Sequence, residues 1–298
     1  MTVPDIHRTI DTIWRMESPR LIAGLARFTR DVGAAEDLAQ DAPVAALEQW
    51  PSQGVPRTPG AWLMAVAKRR AIDQFRKRKL ADRKHEELGH ELGGTTVPPS
   101  PESELDDDVG DDLLRLMFTA CHPLVSTEAR VALTLRLLGG LTTAEITRAF
   151  LATEPAIAQR IVRAKKALAR ARVPFQVPRG IDRAARLSSV LEVIYLIFNE
   201  GYTATGGDDW MRPALCEEAL RLGRVLAELM PREAEVHGLV ALMEIQASRA
   251  RARVGLRGEP ILLLDQNRAL WDQLLIRRGL AAPAPALSRP TLSSGGSD

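Results

Sequence analysis

The chain has 298 residues, 45% of them hydrophobic, with a net charge of +2 and two cysteines. That length gives room for two or three small globular domains. Apolar runs are short and broken by charge, and the N-terminus lacks a basic-then-apolar layout. These features exclude a membrane span and a signal peptide and predict a cytoplasmic protein.

The small net charge hides a segregation. Val66–Lys79 holds seven Lys/Arg against one Asp, and Thr153–Arg172 holds six against one Glu, whereas Leu80–Asp112 holds eleven Asp/Glu against two Lys/Arg. Two basic segments around an acidic strip suggest two separate contacts with a polyanion.

In chain order, apolar spacing is helical nearly throughout, so the expected fold is all-α. A first helix is expected over about Pro4–Met16. Ser18-Pro19 reads as the N-cap and first position of a second, ending near Asp31-Val32-Gly33. A third, about Ala34–Trp50, places Glu36, Asp37, Gln40 and Asp41 in an acidic, polar patch near its start, and Pro43 predicts a kink. Pro51–Gly60, with three prolines and two glycines, reads as a stiffened loop.

The next helix, about Ala61–Lys79, has Trp62, Val66, Ile72 and Phe75 as apolar anchors and Lys68, Arg69, Arg70, Arg76, Lys77 and Lys79 on its surface. An aromatic-bearing basic helix suits capture of single-stranded bases, and a plain solvated helix end has the same composition. Leu80–Gly110 is poor in apolar residues and rich in charge, so no fixed structure is expected there.

Asp111–Pro123 reads as a helix with an acidic start. Ser126 then caps a second that Gly139-Gly140 ends. Cys121 and His122 are adjacent but lack further ligands, and Cys216 is far away, so neither a metal site nor a disulfide is supported and both cysteines read as buried thiols.

From Leu141 to Arg172 the chain reads as two short helices joined by a tight turn. Thr142 and Glu145 have capping-box spacing, which starts one helix near Thr143 and lets it run to about Phe150. Thr153 is a plausible N-cap for the next. There Ile157, Ile161, Ala164 and Leu168 share a face to be buried, and Gln159, Arg160, Arg163, Lys166 and Arg170 line the other. Such a pair is a helix-turn-helix, whose second helix lies in the DNA major groove, although a basic face alone is more often a solvated one.

A Pro-rich joint follows, then further antiparallel helices up to GEPILLLDQNRALWDQLL. Glu200, Tyr202, Asp265, Gln266 and Trp271 are the polar and aromatic residues to watch in this part, as interface or core groups. The end of the sequence, APAPALSRPTLSSGGSD, reads as a floppy tail. No catalytic constellation or cofactor motif is present, so no enzyme, cofactor or metal is expected.

DLAQDAPVAALEQWP, then PGAWLMAVAKRRAIDQFRKRK, then LTTAEITRAFLATEPAIAQRIVRAKKAL resemble, in that order, regions 2 and 4 of bacterial RNA polymerase sigma factors of the extracytoplasmic-function (ECF) group, within the sigma-70 superfamily. YLIFNEGY, LCEEALRLGRVLAELMP and LLLDQNRALWD resemble the subgroup with a helical C-terminal extension, here without its repeat section.

The resemblance implies a region 2 helical bundle over 1–79, an acidic flexible linker over 80–110, a region 4 helix-turn-helix domain over 111–172, a helical extension over 173–278 and a disordered tail over 279–298. It implies that Glu36, Asp37, Gln40 and Asp41 dock on the clamp helices of the polymerase largest subunit. Trp62, Arg69, Arg70, Asp73 and Arg76 would capture unpaired bases of the −10 element, and Gln159, Arg160, Arg163 and Lys166 would read the −35 element.

The implied partners are core RNA polymerase, through clamp helices and flap, promoter DNA, and a regulatory protein at the extension. The implied function is transcription initiation at specific promoters, with help in melting them. Two rival readings are a dimeric helix-turn-helix regulator acting without core polymerase and a helical scaffold that binds no DNA.

Overall fold

The computed structural model describes residues 3–86, 109–203, 211–255 and 259–281. Residues 87–108 of the expected linker and the tail from residue 282 lie outside them, as do the side chains of Phe75, Lys77 and Lys79, whereas residues 80–86, expected to lack fixed structure, are helical. The described residues are all-α, with one isolated bridge between Val254 and Pro260. They fall into two compact units, Met1–Val193 and Ile194–Asp298.

The first unit opens with α1 (Val3–Thr29), α2 (Val32–Gln53) and α3 (Pro59–Glu86). α1 corrects the expectation of two helices, since Ser18-Pro19 lies inside it and is buried. Proline removes one backbone donor and costs about 3 kcal/mol inside a helix. An apolar stripe, Ile6, Ile10, Leu21, Ile22 and Leu25, is buried on both sides of the proline, and burying each such side chain returns about 1.5–3 kcal/mol. Continuity wins. At that proline Gly140 comes close: its positive φ of 64° brings its backbone to where an added Cβ would lie 3.2 Å from the Arg15 carbonyl oxygen.

Asp31 caps α2, accepting hydrogen bonds from the backbone N–H of Gly33 at 2.7 Å and Ala34 at 3.1 Å. The helix is continuous through Pro43 and extends past Pro51 until Gly54, whose N–H donates to the Trp50 carbonyl at 2.9 Å. The expected loop is therefore short, because α3 already starts at Pro59. Proline is tolerated in a first helical turn, where its missing donor has no partner to lose.

Four more helices follow: α4 (Val109–Ala120), α5 (Thr127–Leu137), α6 (Thr143–Phe150) and α7 (Glu154–Arg170). α5 is the axle, with Ala129, Val131, Ala132, Leu133, Leu135 and Leu137 all buried. A helix buried on most sides must be surrounded, and α4, α6 and α7 all pack on it.

α8 (Ile181–Tyr202) supplies its first turns to this unit. There Arg186 donates to the Phe118 carbonyl at 2.6 Å and the Ser189 hydroxyl to the Cys121 carbonyl at 2.7 Å. Both bonds satisfy acceptors that the end of α4 leaves without intrahelical partners. Arg130, only 8% exposed, hydrogen-bonds Ser189, Thr127 (2.7 Å) and Glu192 (3.0 Å).

The second unit holds the rest of α8, α9 (Pro213–Leu229), α10 (Ala234–Ala247) and α11 (Gln273–Ala281), with three short 3-10 turns between α10 and α11. Ile197, Phe198, Leu222, Leu226, Val236 and Met243 form its core. Of the residues marked in the sequence, Glu200 is buried in an ion pair with Arg212. Tyr202 stacks on Phe198 and lies 3.6 Å under the Arg253 guanidinium. Gln266 donates to the Ile261 carbonyl at 3.1 Å, Trp271 faces Arg268, and Asp265 is exposed. Most of these groups hold the unit together.

Candidate nucleic-acid interface

The capping box that opens α6 forms as its spacing predicts. The Glu145 N–H donates to the Thr142 hydroxyl at 3.2 Å, and the Thr142 N–H donates back to the Glu145 carboxylate at 2.8 Å. Burial pushes the Glu145 carboxyl up, but hydrogen bonds from the Thr142 backbone and hydroxyl and from Arg15 outweigh it and hold the group below its ordinary value. α6 ends at Leu151 in the left-handed conformation, φ 46°. This lets the chain reverse within a few residues and begin α7 at Glu154.

On α7 the sequence pattern resolves into two faces. Ile157, Ile161, Ala164 and Leu168 are buried, while Gln159, Arg163 and Lys166 are exposed and Arg160 is half-buried. Gln159, Arg160 and Arg163 line a groove of about 460 Å³ whose other wall is Leu124–Ser126 and Ala129. Long cationic side chains on a rigid, well-anchored helix can reach both phosphates and base edges. Thr153 occupies the N-cap position without a side-chain cap bond.

On α3, Arg69, Asp73 and Arg76 are exposed. Trp62 is half-buried, edge-to-face with Trp50 at 5.4 Å, and Arg70 pairs with Asp41 at 3.0 Å. One member of the α3 set is thus tied to a member of the α2 set.

The α2 patch divides. Asp37 is exposed, Asp41 is paired, and Gln40 donates to Glu36 at 2.9 Å. Glu36, expected at a surface for a partner, is 3% exposed. Arg136 of α5 donates its Nε to the Glu36 carboxylate at 2.6 Å, and Lys165 of α7 pairs with the other oxygen. Two cations thus neutralise a carboxylate that would otherwise be costly to bury.

Arg136 and Lys165 were not singled out from the sequence. For Lys165 a signal exists: it lies four residues after Ile161 and three before Leu168, hence beside the buried face. For Arg136 there is none, because its partner is 100 residues away.

Cys121 and Cys216 are free and buried as expected, and burial pushes their thiols up to about 11 and about 12. Among the described residues no group of His, Cys, Asp and Glu could hold a metal ion, and no helix is long and apolar enough to cross a membrane.

Residues 13–80 match the family model for sigma-70 region 2. This segment is a sigma-70 region 2. It therefore comprises most of α1, all of α2 and most of α3, and includes every residue marked on α2 and α3. Residues 186–287 match a family of unknown function, DUF6596. A protein of Rhizobium meliloti (strain 1021), R00370, is 42% identical over 276 residues, covering 88% of this chain and 62% of its own length. The chain thus spans less than two thirds of that relative. No solved structure matches. The α6–α7 pair lies between the two matched segments.

Proposed function

We propose that the chain is a transcription initiation factor of the ECF type, which binds core RNA polymerase in the cytoplasm and directs it to promoters. The observation that carries this reading is the exposed row Gln159, Arg163 and Lys166 on α7, with Arg160 beside it, in the same chain as a sigma-70 region 2. One basic helix alone would be ambiguous, but two basic modules on one chain fit a ligand that presents two elements.

In this reading α7 recognises the −35 element. Trp62, Arg69, Arg70, Asp73 and Arg76 handle the −10 element, and the α2 patch meets the polymerase. Recognition and strand opening draw on binding free energy, with no covalent step, and the segment from α8 onward meets a regulatory protein. Run-off transcription of genomic templates with core polymerase, with and without this chain, tests the reading. Specific transcripts that depend on the chain are expected, and their absence on every template would refute it.

A further inference from the structure

In AEVHGLVALMEIQA, the sequence of α10, apolar residues fall on every side of the helix, the pattern of one enclosed by neighbours. Two sides are enclosed. α9 packs along one, where a Cβ built on Gly223 would lie 2.8 Å from the Met243 Cε and 3.2 Å from a Val240 methyl, and Arg224 donates to Glu244 at 2.9 Å. α11 packs along another, where a Cβ on Gly279 would lie 3.0 Å from the Ala241 carbonyl oxygen. Neither helix covers the third side, on which Glu235, Gly238, Leu239, Leu242, Gln246 and Arg249 recur at one-turn spacing. Leu242 is 44% exposed there, and nothing lies within 4 Å of where a Gly238 Cβ would stand.

That side matches its own reverse. With Leu242 as centre, Glu235 and Arg249 stand at equal distances with opposite charge, Gly238 balances the exposed Ile245, and Leu239 balances Gln246.

We propose that this side of α10 is a homodimer seam, along which a second copy of the chain packs antiparallel across a two-fold axis at Leu242. Self-complementarity selects the occupant. An isologous contact sets each residue against the one at equal distance beyond the centre. Leu242 then meets its own copy, and Ile245 of each chain enters the space beside the other's Gly238. Glu235 meets Arg249, which bonds Tyr202 and Gln246 through Nη2 alone. Parallel pairing would instead set like charges together at both ends. A seam of about four helical turns is small, so the pair should be weak and concentration-dependent. The proposal is independent of the initiation-factor reading, since α10 lies outside both region 2 and α7.

Sedimentation equilibrium of the full chain tests it. The mass should rise from that of one chain, 32.7 kDa, toward twice that between about 1 and 100 µM. Leu242→Asp sets two carboxylates face to face on the axis and should hold the mass at one chain throughout. A second readout does not depend on how well that variant folds. On the axis the thiol of Leu242→Cys meets its own copy, so mild oxidation should cross-link this variant at least about tenfold faster than Glu228→Cys, an exposed position on α9. The native cysteines, buried and with thiols pushed up, stay out of the exchange. A one-chain mass at every concentration would overturn the seam and leave this side of α10 to a different protein. Dimers that survive Leu242→Asp, or equal cross-linking at positions 242 and 228, would overturn it as well.

Discussion

Arg163→Ala separates recognition from folding. The side chain is exposed, and the packing of α7 rests on Ile157, Ile161, Ala164 and Leu168, none of which the substitution alters. Alanine favours the helix slightly more than arginine, and a surface change away from caps and partners stays within about 0.5 kcal/mol. A lost base contact costs about 1–3 kcal/mol, which is roughly a 5–150-fold change in affinity.

The variant should therefore melt at the wild-type temperature yet lose promoter-directed run-off transcription by about that factor, while core polymerase binding is kept. Ile161→Ala is the contrast, because removing a buried isoleucine side chain costs about 2–5 kcal/mol and should lower activity by unfolding. Wild-type transcription by Arg163→Ala, or a loss that tracks a fallen melting temperature, would refute the assignment of this face.

Arg69→Ala, also at an exposed position, should leave stability and polymerase binding alone but reduce permanganate reactivity of the promoter's melted bases; full reactivity would remove Arg69 from the −10 set. Thr142→Ala should cost about 1 kcal/mol by uncapping α6. Because Glu145 is held below its ordinary value, its contribution is complete above the unfolded value and lost as the pH falls through the folded one. Hydrogen-exchange protection in α6, taken relative to the intrinsic amide rate at each pH, should accordingly fall between about pH 5 and 3 in wild type and change less in Thr142→Ala, and a flat wild-type profile would contradict this. Gly201→Ala should destabilise the second unit by about 1–3 kcal/mol, since the new methyl would lie 2.6 Å from the Cys216 backbone nitrogen and 2.9 Å from the Arg212 carbonyl oxygen. Thermal unfolding measures it, and an unchanged transition would show that the two helices can part at no cost.

What could be read from the chain before folding was whatever is decided locally. The α6 cap needs only Thr142 and Glu145, and the two faces of α7 need only a period of 3.6 residues, so both were legible. The continuity of α1 was not, because the local signal of Ser18-Pro19 is a helix start and only burial on both sides overrides it. The extent of α2 was missed for a related reason: Pro51 reads as a breaker, yet it sits in the last turn of a helix held by Trp50, which is buried against the bundle. The state of Glu36 was illegible in principle. On α2 alone it belongs to a water-facing acidic patch, and only Arg136 and Lys165, from distant segments, turn it inward.

Arg130 carries a lesson for anyone who trims this protein. Of its polar neighbours, Ser189 and Glu192 belong to α8, beyond the point where a minimal version would be cut after Arg172. Such a version would leave the Arg130 guanidinium with Thr127 alone of its three partners, and would lose the buried Leu187, Val190 and Val193 of α8 as well. The helix that looks like an appendage is, for α4 and α5, part of the packing.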